Sequence, residues 1–182
     1  MSDKANNLVY QLKVTLSDSK PPIWRRLLVS HSTTLDKLHQ IIQIGMGWTD
    51  SHLHQFVIEN TRYSIPSPED WEPVMDERRY SLNQIVPSEN YKFAYVYDFG
   101  DNWDHDILVE KILPMESEVK YPLCIKGKRA CPPEDVGGIW GYESFLEAMN
   151  NPNHREHNSY REWWGGDFDP EAFSIEEINR AL

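Results

Sequence analysis

The chain has 182 residues, enough for one domain with a real core that buries about 70% of its unfolded surface. Apolar residues make up 40% and aromatics 12%, which excludes a disordered chain, and no apolar run approaches the ~18 residues of a membrane span. The net charge of −11 and a pI near 5.0 argue against nucleic acid as a partner, because a phosphate backbone calls for clustered Lys and Arg.

The acid is unevenly spread. Residues 131–182 carry eleven Asp and Glu against three Arg, a net of −8. The first seven residues hold no apolar signal core and are expected to be disordered. The cytoplasm is therefore the expected compartment, and Cys124 and Cys131 are expected to be reduced thiols.

Residues 8–16 alternate, with Tyr10, Leu12, Val14 and Leu16 on one face, which predicts a half-buried strand. Ser17 to Pro22 is a turn, and Ile23 to Ser30 is a second strand. A helix follows, with Thr33 and Asp36 as its capping box, a buried stripe from Leu35 to Met46, and Gly45 and Gly47 at its end. His52 to Glu59 reads as a third strand. Strand, strand, helix, strand is an order seen in β-grasp-like folds.

Residues 60–80 hold three prolines and many charges and read as a long surface loop. Ser81 and Gln84 frame a short helical turn. Two strand arms, 91–98 and 103–113, form a hairpin around Phe99 to Asn102, which sets Asp98 opposite Trp103 and Val96 opposite His105. Pro114 to Lys120 links it to a short strand within 121–131. The acidic C-terminal extension, residues 140–182, is helical: Tyr142 to Met149, a turn at Tyr160 to Trp164, and a last helix capped by Ser174. The fold class is α+β, a mainly antiparallel twisted sheet covered by helices.

Three polar constellations carry chemistry. His52 and His54 lie two apart on a strand and share a face, a spacing that can hold Zn²⁺ or another divalent cation. The plainer alternative is two histidines at the core's edge. In the expected hairpin register Asp98 and His105 are diagonal neighbours, so Asp98 would orient a ligand or base. The alternative gives Asp98, Asp101 and Gly100 to turn geometry, with Asp101 and Trp103 available for binding. Cys131-Pro-Pro-Glu134-Asp135 sets a thiol on a stiff loop before two acids, with Glu134 or Asp135 as a general base. The alternative is a buried Cys with a proline turn. Trp24-Arg25-Arg26 pairs guanidinium with indole, and Trp163-Trp164 offers either core anchors or a patch for a protein partner.

The chain resembles the plasmid pRiA4b ORF-3-like family. The residues that carry the likeness are Pro22 to Arg26, Leu38-His39, Gly47-Trp48, His52 to Phe56, Tyr97 to His105, Ala130 to Gly138 and Phe168 to Pro170. The resemblance implies a prokaryotic protein found in the company of plasmids and mobile elements, and brings no reaction with it. Many members have a second Cys after Glu-Asp; Val136 stands there in this chain.

Two functions are expected: a non-enzymatic binding or adaptor module, or a metal-dependent hydrolase. In the second, His52, His54, Asp98, His105 and Cys131 would hold the metal and Glu134 or Asp135 would activate water. A weaker third is action on nucleic acid in a mobile-element setting.

Overall fold

A computed structural model describes residues 7–68, 70 and 72–182. Residues 1–6 of the expected disordered start lie outside them, while the Asn7 carbonyl accepts from the Met115 N–H at 2.8 Å.

Eight strands form one sheet: β1 (Leu8–Leu16), β2 (Trp24–Ser30), β3 (His54–Ile58), β4 (Thr61–Ser64), β5 (Met75–Asp76), β6 (Lys92–Tyr97), β7 (Trp103–Pro114) and β8 (Leu123–Lys128). Their order across the sheet is β5-β4-β3-β6-β7-β1-β2-β8. Only the β4–β5 pair is parallel. β1 lies inside the sheet because its alternating residues supply one apolar face along its length: Tyr10, Leu12, Val14 and Leu16 are all buried. Ser19 stitches the β1–β2 turn, donating to the Leu16 carbonyl at 2.7 Å and accepting from Ile23 N–H at 2.9 Å.

α1 (Leu35–Met46) puts Leu35, Leu38, Ile42 and Met46 into the same core as Leu12 and Val14. Each such side chain contributes about 1.5–3 kcal/mol by burial. The expected Thr33–Asp36 capping box is not formed. Thr34 is the N-cap, and its side chain makes no capping bond. The chain stays extended one residue longer, since Thr34 bridges to Ser81 and Thr33 accepts from Leu82 N–H at 2.9 Å. Gly47, at φ 83, ends the helix. Gly45 lies inside it.

The strand after α1 does not return beside β1, because β6 and β7 lie between them. The expected loop at 60–80 is corrected: it holds β4, β5 and a 3-10 turn, Glu77–Arg79. The hairpin was hidden because its two-residue turn is Glu59-Asn60, at φ 48 and 63. Such a turn is usually signalled by a glycine. The helical turn α2 (Leu82–Ile85) forms as expected, with Gln84 Oε1 accepting from Ser81 N–H at 2.8 Å.

The β6–β7 register is one residue off the expectation. Tyr97 faces Trp103 and Tyr95 faces His105. Asp98 is not in the strand: at φ 57 it opens a longer tip, and its carbonyl accepts from Asn102 N–H at 2.6 Å. A one-residue slip moves every partner to the other face, so His105 shares its face with Tyr95 and Tyr97 rather than with Val96 and Asp98.

α3 (Gly138–Asn150) begins four residues earlier than expected. Gly138, at φ 68, is pressed so close to the Asp101 carbonyl that a Cβ would lie 2.4 Å from its oxygen. α4 (His157–Trp164) lays Tyr160 and Trp163 edge-on to Phe145. α5 (Ile175–Ala181) is capped by Ser174, whose side chain accepts from Glu177 N–H. Among the described residues no helix is long and apolar enough to cross a membrane.

Candidate functional site

Three turns meet at one end of the sheet: the segment between α1 and β3, the β6–β7 tip, and the Cys131–Val136 loop. Asp50, Asp98 and Asp135, one from each, all adopt left-handed backbone at φ 57, 57 and 62. Aspartate tolerates this conformation better than most residues, and such strain gathers at functional sites. A cleft of about 260 Å³ opens between α1 and β3, lined by His39, Asp50, His52, His54, Glu77 and Arg78 among others.

His39 sits on the buried side of α1 and closes a ring of hydrogen bonds. Asp50 N–H donates to Gln43 Oε1 at 3.1 Å, and Gln43 Nε2 donates to the Tyr95 hydroxyl at 3.0 Å. The hydroxyl proton is then left for His39 Nδ1, at 2.7 Å, and His39 Nε2–H for Asp50 Oδ1, also at 2.7 Å. That order satisfies every member with a neutral imidazole. Burial, and then the neighbouring His54, push the His39 pKa down against the pull of Asp50. Burial holds the Tyr95 hydroxyl protonated far above its ordinary range.

His54 stacks on His39 with ring centres 3.4 Å apart and planes within 3°. Its Nε2 is 2.9 and 3.1 Å from the two oxygens of Glu77, which is itself buried. His39, Asp50 and His54 have ligand atoms close enough for one ion. The stacking argues otherwise: an ion must lie in the plane of each imidazole, and one shared by these parallel rings would sit about 1.7 Å out of both. These histidines are arranged as two adjacent His–carboxylate pairs.

His52 belongs to a second group with Asp98 and Asp135. Its Nδ1 is 3.7 Å from Asp98 Oδ2 and its Nε2 is 3.0 Å from Asp135 Oδ1. Nε2 is shut from solvent, yet Asp135 lies out of line and makes no hydrogen bond with it. Asp98 is held through its other oxygen, which accepts from Gly100 N–H at 2.9 Å. The turn role and the pairing role of Asp98 thus coexist.

Glu134 accepts three hydrogen bonds. Oε2 accepts from Thr49 N–H at 3.0 Å and Thr49 Oγ1 at 2.6 Å, and Oε1 accepts from the Tyr97 hydroxyl at 2.5 Å. Asp101 Oδ2 accepts from Gly137 N–H at 2.9 Å, tying the tip to the start of α3. Trp103 is buried, and among the described residues nothing partners its Nε1.

His105 and Cys131 fall outside both groups. His105 is buried, donates from Nδ1 to the Trp103 carbonyl at 2.9 Å, and meets Trp48 edge-on. Burial pushes its pKa down to about 4 against the pull of the Trp103 and Tyr95 carbonyls. Cys131 Sγ lies 3.2 Å from an Arg25 nitrogen and 3.1 Å from Met46 Sδ, and burial raises its pKa. Of the Trp24-Arg25-Arg26 cluster, Arg25 is buried, and Arg26 is paired with Glu110 at 2.6 Å while lying over the Trp24 ring.

Sequence reasoning passed over His39, Asp50 and Glu77 as site residues. His39 carried a signal, a polar residue on the buried stripe of a helix. Asp50 and Glu77 carried none, since each lies in a polar turn.

An α+β protein with a histidine–carboxylate cleft at one end of its sheet is the class these features define. The chain belongs to the family described as Plasmid pRiA4b ORF-3-like protein, whose model matches residues 8–177. It is 39% identical over 176 residues to "Uncharacterized protein y4hQ" of Sinorhizobium fredii (strain NBRC 101917 / NGR234), covering 96% of this chain and 90% of that one. It is also similar to the crystal structure of the "Protein of Unknown Function MM3350" from Methanosarcina mazei Go1. That likeness has a TM-score of 0.88 and 40% identity, over 94% of this chain and 97% of the other.

Proposed function

We propose that the protein is a binding module whose ligand enters the cleft between α1 and β3. The observation that carries this reading is the state of Glu134. Its two oxygens accept three hydrogen bonds, from Thr49 and Tyr97, so its carboxylate is committed to holding a loop in place. His105, buried, and Cys131, half-buried against Arg25 and Met46, support the same reading, since neither joins the two histidine–carboxylate groups. What faces the cleft is a set of donors and acceptors already fixed by their neighbours, suited to a small polar ligand.

Amide spectra of the isotope-labelled protein against panels of small carboxylates, phosphates, nucleotides and amines test it. A ligand that shifts Asp50 to His54 together with Glu77 and Arg78 supports the reading. A panel in which nothing perturbs those amides removes it.

Metal-dependent hydrolysis at the same cleft is the second reading, favoured by the convergence of His52, Asp98 and Asp135. It is separated from the first by turnover: a panel compound consumed by the wild type and left intact by His52→Ala would make the protein an enzyme.

A further inference from the structure

We infer that His52, Asp98 and Asp135 form a divalent-cation site at the edge of the cleft, and that the cation presents its open positions to the ligand. This deepens the binding reading above and rests on it.

The first reason is geometric. Metal–ligand bonds of about 2.1 Å place neighbouring ligand atoms about 3.0 Å apart around an octahedral ion and about 3.4 Å apart around a tetrahedral one. The separation of His52 Nε2 from Asp135 Oδ1, 3.0 Å, matches that range, while Asp98 Oδ2 stands 3.7 Å from the other ring nitrogen; with one ligand atom taken from each residue, all three lie within 4.8 Å of one another. The shorter contact is not an aligned hydrogen bond, so the nitrogen and the carboxylate stand close without bonding. The longer one exceeds hydrogen-bond length.

The second reason is charge. Two carboxylates converge on one imidazole, and among the described residues no Lys or Arg forms an ion pair with either. One imidazolium could offset only one of them. A divalent cation would offset both and give the closed-off His52 Nε2 a partner.

The third reason is that each ligand is held from behind. Asp98 is fixed by Gly100 N–H. His52 has the Tyr97 ring edge-on at 5.8 Å. Asp135 follows Glu134, which the Tyr97 and Thr49 hydroxyls clamp. Outer contacts of this kind orient metal ligands. One imidazole with two carboxylates suits Zn²⁺ or Mn²⁺. Three protein ligands leave at least one position open, as in sites where an exogenous oxygen completes the shell.

Full-length protein stripped with a chelator is titrated with Zn²⁺ and with Mn²⁺ by calorimetry. The expected result is one equivalent bound per chain, with affinity at least tenfold weaker in Asp135→Asn and in His52→Gln. Asp135 is exposed, so its variant should melt like the wild type without metal. Mn²⁺ should broaden the amides of 51–53, 98–100 and 134–136 before any others.

Absence of binding, or binding untouched by both ligand variants, overturns the site. So does binding lost in His39→Gln but kept in Asp135→Asn, which would move the ion to the stacked pair. If the cation fails while an organic ligand still shifts the cleft amides, the binding reading stands and only the metal falls.

Discussion

The Tyr97 hydroxyl donates to Glu134 Oε1 at 2.5 Å across 37 positions of sequence, and accepts from Ser51 N–H at 2.9 Å. This one oxygen joins the three turns around the cleft. Burial and the adjacent carboxylate push its pKa up, so it stays a donor throughout the working pH range. Tyr97→Phe removes both bonds, at groups that are not fully buried, and is expected to cost about 1–2 kcal/mol. Glu134→Gln keeps an acceptor and should cost less. Urea unfolding of both variants and the double mutant should give a coupling of at least ~1 kcal/mol; independent, additive effects would mean that the bond does not hold the turns together.

His105 makes stability depend on pH. Its folded pKa of about 4 lies below the ordinary 6.5. The unfolded chain therefore binds the extra proton first as pH falls, and stability is lost from about pH 6.5 down to about pH 4, with none of this contribution lost above that window. Between pH 7 and 5 the loss from this group is about 2 kcal/mol. His105→Asn keeps a donor for the Trp103 carbonyl and cannot charge. Unfolding curves at both pH values should show a slope shallower by about that amount in the variant, and equal slopes would place the titrating group elsewhere.

Arg25 is a buried cation bonded to carbonyls. Nε donates to the Gly45 carbonyl at 2.7 Å. One terminal nitrogen donates to the Trp24 and Lys128 carbonyls, both at 2.9 Å, and the other to the Arg129 carbonyl at 2.8 Å and to Cys131. The guanidinium also lies 4.8 Å over the Phe173 ring. Three elements are pinned by this one planar fork: the end of α1, β8 and the Cys131 loop. Lysine has three donors and no fork, so Arg25→Lys leaves at least two of these partly buried acceptors without a donor and is expected to cost about 2–4 kcal/mol. Thermal unfolding checks it; a melting point within a degree of wild type would show that water replaces the missing donors.

Much of the scaffold can be read from residue patterns, because the patterns are local. The alternation of residues 8–16, Gly47 as a C-cap and Ser174 as an N-cap each need only a few neighbours. The site was half legible for a related reason. His52, Asp98 and Asp135 are polar residues in turn-rich motifs, and they do meet. His105 was misplaced because Asp98 adopts a left-handed conformation that lengthens the tip by one residue, and no side-chain pattern distinguishes a strand end from the first turn residue. Cys131, expected among the metal ligands, meets Arg25 instead, a contact between residues 106 positions apart. Glu77 is buried within Asp76-Glu77-Arg78-Arg79, a run that any hydropathy argument sends to solvent. Only tertiary packing against His54 explains it.

β8 ends the sheet, and an open edge invites pairing with another chain. Asn179 on α5 covers it with a side-chain amide. Cys124 N–H donates to Asn179 Oδ1 at 2.7 Å, and Asn179 Nδ2 donates to the Cys124 carbonyl at 2.9 Å. Cys124 faces Leu27 of β2 across the ladder but turns these two groups outward, so the amide stands where the backbone of a ninth strand would. Asn179→Ala removes both bonds together with the residue that seats α5 on the edge, and should cost about 1–2 kcal/mol. Asn179→Asp keeps the acceptor and sets a carboxylate against a carbonyl, so it should be no better than alanine. Hydrogen exchange at the Cys124 amide is the direct measure: protection should fall at least tenfold, the kinetic image of ~1.4 kcal/mol. Light scattering at rising concentration should then show association that the wild type does not. If protection falls and the variant scatters as the wild type does, α5 guards a bond and not an interface, and the charged side chains of Lys126 and Lys128 are enough to keep the edge single.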